Sequence, residues 1–411
     1  MAVSEQNLAK YAELIVRTGV NVQQGQDVFV TTTIEMAPLA RLVAASAYEA
    51  GARNVHIDWT DDTLSRLKYE KAADEVFTVF PDWEKDKRMS FVENGSAFIA
   101  IVSSNPDLLK GIDSQRIANF QKASGTALAG YRQAVQSDKV PWTVVAAANK
   151  DWAVKVFPNA GTPDEAVDRL WDAIFSSVRL HAEDPVAAWA AHNDNLHQKA
   201  DYLNAKRYKK LHYRAPGTDL TVELPEKHLW LGASSTDPKG NAFMANMPTE
   251  EVFTVPFKDG TEGYVSSTKP LSYAGNIIDG FKLTFEKGRI VKVEASQGQE
   301  ILQQLVDTDE GSHYLGEVAL VPHQSPISQS NILFYNTLFD ENASNHFAIG
   351  SGYAFNLQGG KQMSREELAE YGVNNSITHV DFMVGSAEMD IDGITEDGTI
   401  EPIFRGGNWA F

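Results

Sequence analysis

Residues 27–59, DVFVTTTIEMAPLARLVAASAYEAGARNVHIDW, decide the fold of the first half of the chain. The β-branched and aromatic residues at 28–33 predict a short buried strand. Residues 36–48 then place leucine, valine and alanine on one face of a helix, which Gly51 ends. Residues 54–59 predict a second strand. A strand, a helix and a strand in this order predict a parallel βαβ unit.

The alternation of strands and helices continues through the first half. Two further short apolar runs, at 97–103 and 142–148, predict buried strands, and a helix is expected to begin at Pro163 with Thr162 as its N-cap. The chain after the first strand is TTTIEMAPLA, which contains neither of the glycine-rich phosphate-binding motifs. We therefore predict an α/β domain with a mostly parallel sheet over residues 1–190, with a structural or substrate-capping function.

The second half has the pattern of a β-rich domain. Past residue 207, short alternating runs are separated by Pro-Gly, Asp-Gly and Lys-Gly turns. Residues 281–294 predict a β-hairpin with Lys-Gly at its turn. We predict a β-rich, barrel-like domain over 191–411, and place the boundary near or within a long helix at 185–206.

The composition excludes several classes of protein. The 411 residues carry a net charge of −19, which argues against nucleic acid or an anionic membrane as a partner. There is no cysteine, so disulfides, thiolate metal sites and a cysteine nucleophile are excluded. The sequence shows no signal peptide and no apolar stretch of the roughly 18 residues that a membrane span needs. We therefore expect a cytoplasmic protein.

Acids and histidines concentrate in four short segments of the second half. In one of them, His379 and Asp381 are two residues apart, so on a strand they share a face while Val380 and Phe382 point to the other. An imidazole beside a carboxylate is a compact pair of ligands for a divalent metal. The alternative is an ordinary ion pair at the surface.

The other three segments supply further acids, a histidine and a tyrosine. These residues are Glu250 and Glu251, Glu317, and, within LFDENASNHFAIGSGY at 338–353, Asp340, Glu341, His346 and Tyr353. Each segment alone has a plain alternative: a solvated acidic pair, an exposed strand end and a polar surface loop.

The remaining histidines give no recognisable metal motif. His192 and His197 are five residues apart on a predicted helix, and the chain contains no HExxH, so we predict structural roles for them. The four segments offer only oxygen and imidazole donors. That donor set suits Zn²⁺, Co²⁺ or Mn²⁺ in a co-catalytic pair.

The motifs NMPTEEVFT, GEVALVP, LFDENASNHFAIGSGY and THVDFMVGS, in this order, resemble those of the aminopeptidase T / aminopeptidase S family of metallo-aminopeptidases. The likeness extends over the whole chain, including the closing RGGNW. The resemblance implies a cytoplasmic homodimeric exopeptidase with a catalytic C-terminal domain. It also implies two divalent ions, zinc, cobalt or manganese, and peptide substrates with a free N-terminus.

The resemblance assigns a role to each of the matching residues. Glu251, Glu317, His346, His379 and Asp381 would be metal ligands, with Glu317 bridging, and Glu341 would be a further ligand or a proton carrier. Glu250 or Glu341 would be the general base, and Tyr353 would donate a hydrogen bond to the reacting carbonyl. Two alternatives remain open: a non-catalytic protein that binds a peptide or small ligand, and a metal-dependent amidase acting on non-peptide substrates.

Overall fold

The structure is a computed structural model that describes residues 4–103, 105–273 and 276–411. The chain divides into two compact units. The first consists of Met1–Ala190 and Ser234–Pro248, and the second of Ala191–Ala233 and Thr249–Phe411. The first unit therefore includes a segment from the second half of the sequence. Among the described residues, none of the helices is both long and apolar enough to cross a membrane.

The regular elements are numbered in chain order. The α-helices are α1 Glu5–Leu14, α2 Ala37–Glu49, α3 Asp62–Lys71, α4 Asp82–Glu93, α5 Ser114–Ala127, α6 Ala129–Gln136, α7 Lys150–Val156, α8 Pro163–Ser177, α9 Pro185–Lys206, α10 Gln299–Val306, α11 Pro326–Ser330, α12 Thr337–Asp340 and α13 Arg365–Glu370. The strands are β1 Asp27–Thr33, β2 Asn54–Thr60, β3 Ala97–Val102, β4 Trp142–Ala146, β5 Lys210–Ala215, β6 Thr218–Glu223, β7 Leu231–Gly232, β8 Ser235–Thr236, β9 Ala242–Phe243, β10 Asn246–Met247, β11 Val252–Thr254, β12 Thr261–Ser266, β13 Leu271–Tyr273, β14 Asn276–Glu286, β15 Arg289–Gln297, β16 Leu315–Leu320, β17 His346–Gly350, β18 His379–Met383, β19 Asp390–Ile394, β20 Ile400–Arg405 and β21 Asn408–Trp409.

The first unit is built on a five-stranded parallel sheet in the order β10-β4-β3-β1-β2. The βαβ unit predicted at 27–59 is confirmed as β1, α2 and β2. Val28 and Val30 in β1 and Ile99 in β3 are almost fully buried, as the continuous apolar runs of a parallel sheet require. The edge strand β10 comes from the segment Ser234–Pro248, which the sequence pattern did not place in this unit.

The helices begin and end largely where the sequence predicts. Helix α8 begins at Pro163, and the hydroxyl of Thr162 accepts a hydrogen bond from the backbone N–H of Glu165, which confirms the predicted cap. Helices α5 and α6 follow each other directly and meet at Leu128. Gly125 and Gly130 flank this break, and glycine lowers helix propensity.

The second unit is β-rich, as predicted, and no closed barrel is found among the residues that the structure describes. Its larger sheet has nine strands, and its main path runs from β13 to β21 without closing. These end strands are only three and two residues long, which leaves little backbone with which to close the sheet. The predicted hairpin is confirmed as β14 and β15.

A smaller antiparallel sheet in the second unit has the order β18-β17-β16-β11-β7. Residues on one face of three adjacent strands, β16, β17 and β18, pack into the core of the unit. These residues are Leu315, Val318, Leu320, Phe347, Ile349 and Phe382, each 0–1% exposed. Because side chains alternate along a strand, the residues between them face the opposite side of the sheet. That opposite face carries the candidate site.

Candidate metal centre

The candidate site lies on neighbouring strands of this small sheet. Glu251 directly precedes β11, Glu317 lies in β16, and His346 is the first residue of β17. His379 and Asp381 lie in β18. Strands β11, β16, β17 and β18 are adjacent in the sheet, so segments that are far apart in sequence present these five side chains together.

The central strand β17 leaves room for its neighbours. After His346, the residues on the same face are Ala348 and Gly350. Ala348 stands opposite Glu317 on one side and Asp381 on the other. Gly350 stands opposite His379 in the same way. Two small residues therefore form the floor over which the functional side chains of both neighbouring strands converge.

A β-bulge directs Glu317 toward this floor. The pairing of β16 with β17 shifts register between Leu315 and Glu317. At Gly316, between them, a Cβ atom would lie 2.3 Å from the carbonyl oxygen of Ser351, so a side chain has no room. Bulges of this kind re-aim a side chain. Glu317 is consequently 5% exposed, rather than the exposed strand end that its position after a glycine suggested.

The side chains form two triads that share one carboxylate. The Nε2 atom of His346 lies 3.1 Å from Oε2 of Glu251 and 3.4 Å from Oε1 of Glu317. The Nε2 atom of His379 lies 3.6 Å from Oε2 of Glu317 and 3.5 Å from Oδ1 of Asp381. Within each triad, one ligand atom per residue lies within 4.8 Å of the others. Each oxygen of Glu317 therefore faces a different histidine.

Backbone carbonyls fix the tautomer of both histidines. Nδ1 of His346 lies 3.0 Å from the carbonyl oxygen of Ser344, and Nδ1 of His379 lies 2.7 Å from that of Ser351. A carbonyl oxygen only accepts, so Nδ1 carries the hydrogen in each ring. In the neutral ring the lone pair is then on Nε2, directed at the carboxylates. This arrangement is typical of metal-binding histidines.

The charges of the site fit a divalent cation. Burial raises the pKa of Glu317 and raises the pKa of Glu341 well above its usual range. Burial alone would lower the pKa of both histidines, but the surrounding carboxylates outweigh it. They raise the pKa of His379 to about 9 and that of His346 well above its usual value. The protein without metal thus takes up protons to offset the crowded negative charge, and divalent ions would replace those protons.

Two buried oxygens in the triads also indicate that the site fits a divalent cation. Oε2 of Glu251 and Oδ1 of Asp381 are shielded from solvent and make no hydrogen bond of good geometry with any residue that the structure describes. Oε2 of Glu251 lies 3.1 Å from Nε2 of His346, and Oδ1 of Asp381 lies 3.5 Å from Nε2 of His379. Together with the absence of thiolates, this donor set fits zinc, cobalt or manganese.

The three residues predicted for catalysis surround the triads. Glu250 is buried but belongs to neither triad, and its Oε2 lies 3.6 Å from Nε2 of His192. Glu341 and Asp381 line a small recess that is partly open to solvent. The ring of Tyr353 lies against that of His379, with centroids 4.6 Å apart. Burial raises the pKa of Tyr353 well above its usual value, so its hydroxyl stays protonated at neutral pH and can donate.

Two further residues lie beside this site. His192, for which a structural role was predicted, contacts the Thr249–Glu250 segment, 57 residues further along the chain, and no spacing rule reveals such a contact. Asp340 looked as promising as Glu341 in the sequence, but none of the predicted roles required it. Its two oxygens instead accept hydrogen bonds from the backbone N–H groups of Phe334 and Asn336, so it stabilises the turn beside the recess.

Comparison with known proteins assigns the chain to a family. Residues 4–409 match the family described as Thermophilic metalloprotease (M29). The chain is 63% identical over 406 residues to aminopeptidase AmpS of Bacillus subtilis (strain 168), with 99% of both chains covered. It is 51% identical over 407 residues to aminopeptidase 2 of Geobacillus stearothermophilus, covering 99% of this chain and 98% of that one.

The structural comparison agrees over the full length. The solved structure of wild-type AmpT from Thermus thermophilus superimposes with a TM-score of 0.94 at 42% identity, covering 99% of this chain and 100% of that one. The α/β unit, the β-rich unit and the two triads therefore occur in a chain whose match to the family is nearly complete. The chain belongs to the thermophilic metalloprotease family M29.

Proposed function

We propose that this chain is a metallo-aminopeptidase that releases N-terminal amino acids from peptides by using two divalent metal ions. The observation that carries the proposal is the sharing of Glu317 by two His-containing triads. A pair of ions about 3.5–4 Å apart needs a carboxylate that offers one oxygen to each ion. Glu317 offers its oxygens in this way, toward His346 and His379.

The two triads indicate which residues hold each ion. Glu251, Glu317 and His346 would hold one, and Glu317, His379 and Asp381 the other. Glu341 stands outside both groups and serves either as a further ligand or as a proton carrier. Zinc, cobalt and manganese all accept this set of oxygen and nitrogen donors. Metal analysis of the purified protein, with two ions per chain as the expected result, tests the assignment.

The residues around the ions supply the rest of the chemistry. When bound, the ions lower the pKa of water to near 7 and polarise the peptide carbonyl. Glu341, which lines the recess beside Asp381, takes the proton from the attacking water and passes it to the leaving amine, and Glu250 is the alternative. The Tyr353 hydroxyl donates a hydrogen bond to the carbonyl oxygen as negative charge develops on it.

A substrate comparison tests the proposed activity. We expect the protein to hydrolyse amino-acyl anilides with a free α-amine and to leave the N-acetylated anilides intact. Chelation should abolish hydrolysis, and zinc, cobalt or manganese should restore it. Equal cleavage of both substrates would identify an amidase. A protein that neither binds divalent metal nor cleaves either anilide would be a binding protein, and the proposal would fail.

We also propose that the enzyme works as a homodimer in the cytoplasm. The support is the resemblance of the four site motifs to those of the aminopeptidase T / aminopeptidase S family. Light scattering during size-exclusion chromatography tests the oligomeric state, with twice the 45.3 kDa chain mass as the expected result. Cell fractionation followed by an activity assay tests the compartment.

A further inference from the structure

The peptide bond between Thr249 and Glu250 is held at both ends by side chains. Its N–H group, on Glu250, donates to Oδ1 of Asn342 at 2.7 Å. Its carbonyl oxygen, on Thr249, lies 2.8 Å from Nε2 of His192. The two side chains come from different parts of the second unit, since His192 is on α9 and Asn342 is in the turn before β17.

No strand pairing holds this part of the chain. Residues 249 and 250 lie between β10 and β11 and belong to no β-ladder, so no strand pairing sets the orientation of the peptide bond between them. A peptide unit is planar, so fixing both its N–H and its carbonyl fixes the plane. That plane fixes the position of the Glu250 Cα atom and so restricts the directions in which its side chain can leave the backbone. The contacts with His192 and Asn342 therefore restrict where the carboxylate of Glu250 points.

The chemistry of the contacts fixes the orientation of both side chains. A carbonyl oxygen only accepts, so His192 carries a hydrogen on Nε2. A backbone N–H only donates, so the oxygen of the Asn342 amide faces Glu250. The amide nitrogen of Asn342 then points to the carbonyl of Leu338, at 3.1 Å, and to Oε1 of Glu341, at 3.4 Å.

Asn342 thus connects the two residues considered for proton transfer. It is fully buried, and one amide group contacts both the backbone of Glu250 and the side chain of Glu341. We infer that Asn342 and His192 are positioning residues, which clamp the Thr249–Glu250 peptide and hold Glu250 and Glu341 in their working geometry. This inference rests on the proposed aminopeptidase activity.

Four variants, assayed at saturating metal with two ions per chain verified, test the inference. We expect Asn342→Ala and His192→Ala to lower kcat about 10- to 100-fold with a much smaller change in KM, the usual cost of losing such an outer contact. Asn342→Asp keeps the volume and the acceptor but removes the donor toward Glu341, so we expect a similar loss. His192→Gln can place an amide N–H near the Nε2 position and should recover most of the activity.

Asn204 provides a matched control on the same helix as His192. Its side-chain amide makes two hydrogen bonds with the backbone of Trp230: it accepts one from the N–H at 2.8 Å and donates one to the carbonyl oxygen at 2.9 Å. Asn204 belongs to neither triad. Asn204→Ala should lower thermal stability and leave kcat near the wild-type value.

The possible outcomes separate the inference from the proposed function. The inference fails if Asn342→Ala retains wild-type kcat, if Asn204→Ala loses as much kcat as Asn342→Ala, or if His192→Gln behaves like His192→Ala. Absence of hydrolysis by the wild-type protein would instead overturn the proposed function. Losses confined to the Asn342 and His192 variants, with recovery in His192→Gln, would support the clamp.

Discussion

Without its metal ions, the protein is expected to become less stable as the pH rises from 7 to 9. The carboxylates around His379 raise its pKa from the usual 6.5 to about 9, and its side chain is 20% exposed. A histidine whose pKa is raised by folding stabilises the folded state fully below its unfolded pKa. That contribution is lost as the pH rises through the folded pKa.

The size of the effect follows from the two pKa values. A rise in pKa from 6.5 to about 9 corresponds to about 3 kcal/mol of stabilisation at low pH, of which about 2 kcal/mol disappears between pH 7 and pH 9. The raised pKa values of Glu317 and Glu341 act in the same direction, because their protons too are held more tightly in the folded state. The free energy of unfolding of the metal-free protein should therefore fall by about this amount between pH 7 and pH 9.

Urea unfolding of chelated protein at pH 7, 8 and 9 measures the slope, and the same series with zinc provides the comparison. The zinc-loaded protein should lack this dependence, because the ions replace the protons. His379→Gln removes the titrating ring, so the metal-free variant should lose about 2 kcal/mol of the difference between pH 7 and 9. A metal-free wild type whose stability is flat or rises over this range would refute the reasoning, as would a variant that retains the full slope.

Four further substitutions test separate parts of the structure. Glu317→Gln should abolish hydrolysis and reduce the bound metal to at most one ion per chain without changing the circular dichroism spectrum; two retained ions would contradict the bridging role. Tyr353→Phe should lower kcat by about 10²–10³ with little change in KM, since it removes one donor to the oxyanion; an unchanged kcat would exclude that role. Ala348→Leu places a larger side chain between the ligands and should abolish metal binding while the protein still folds, as metal analysis and calorimetry would show. Asp392→Asn, which weakens the contacts of a buried carboxylate with Arg214 and Arg405, should lower the free energy of unfolding by about 2 kcal/mol and leave kcat unchanged; loss of activity without loss of stability would be the contrary result.

The sequence predicted best those features that depend on local periodicity. The two-residue spacing of His379 and Asp381 placed them on one face of a strand, and the structure has them there, 3.5 Å apart. The βαβ pattern at 27–59 and the hairpin of β14 and β15 were predicted for the same reason. In each case the partners are near in sequence, so composition and spacing carry enough information.

The features that escaped prediction depend on contacts between distant segments. The strand Asn246–Met247 is only two residues long, and it belongs to the first unit because it pairs with Trp142–Ala146, a partner that no local pattern reveals. The bulge at Gly316, which buries Glu317, likewise depends on the approach of the carbonyl of Ser351, the residue that follows β17. The open form of the large sheet depends on which strands fail to pair, and local alternation does not specify this.

The adjacent acids Glu250 and Glu251 show how local sequence spacing and contacts between distant segments together position a side chain. As neighbours in a nearly extended chain they point in different directions, and the sequence cannot say which faces the metals. In the structure Glu251 meets His346 over the face of the small sheet, while Glu250 lies against His192 on α9. The geometry of the sheet thus positions the side chains that would bind metal. Side chains outside the sheet position a carboxylate that would transfer protons. It follows that substitutions on the sheet face should change metal content first, whereas substitutions in the clamp should change turnover at full metal content.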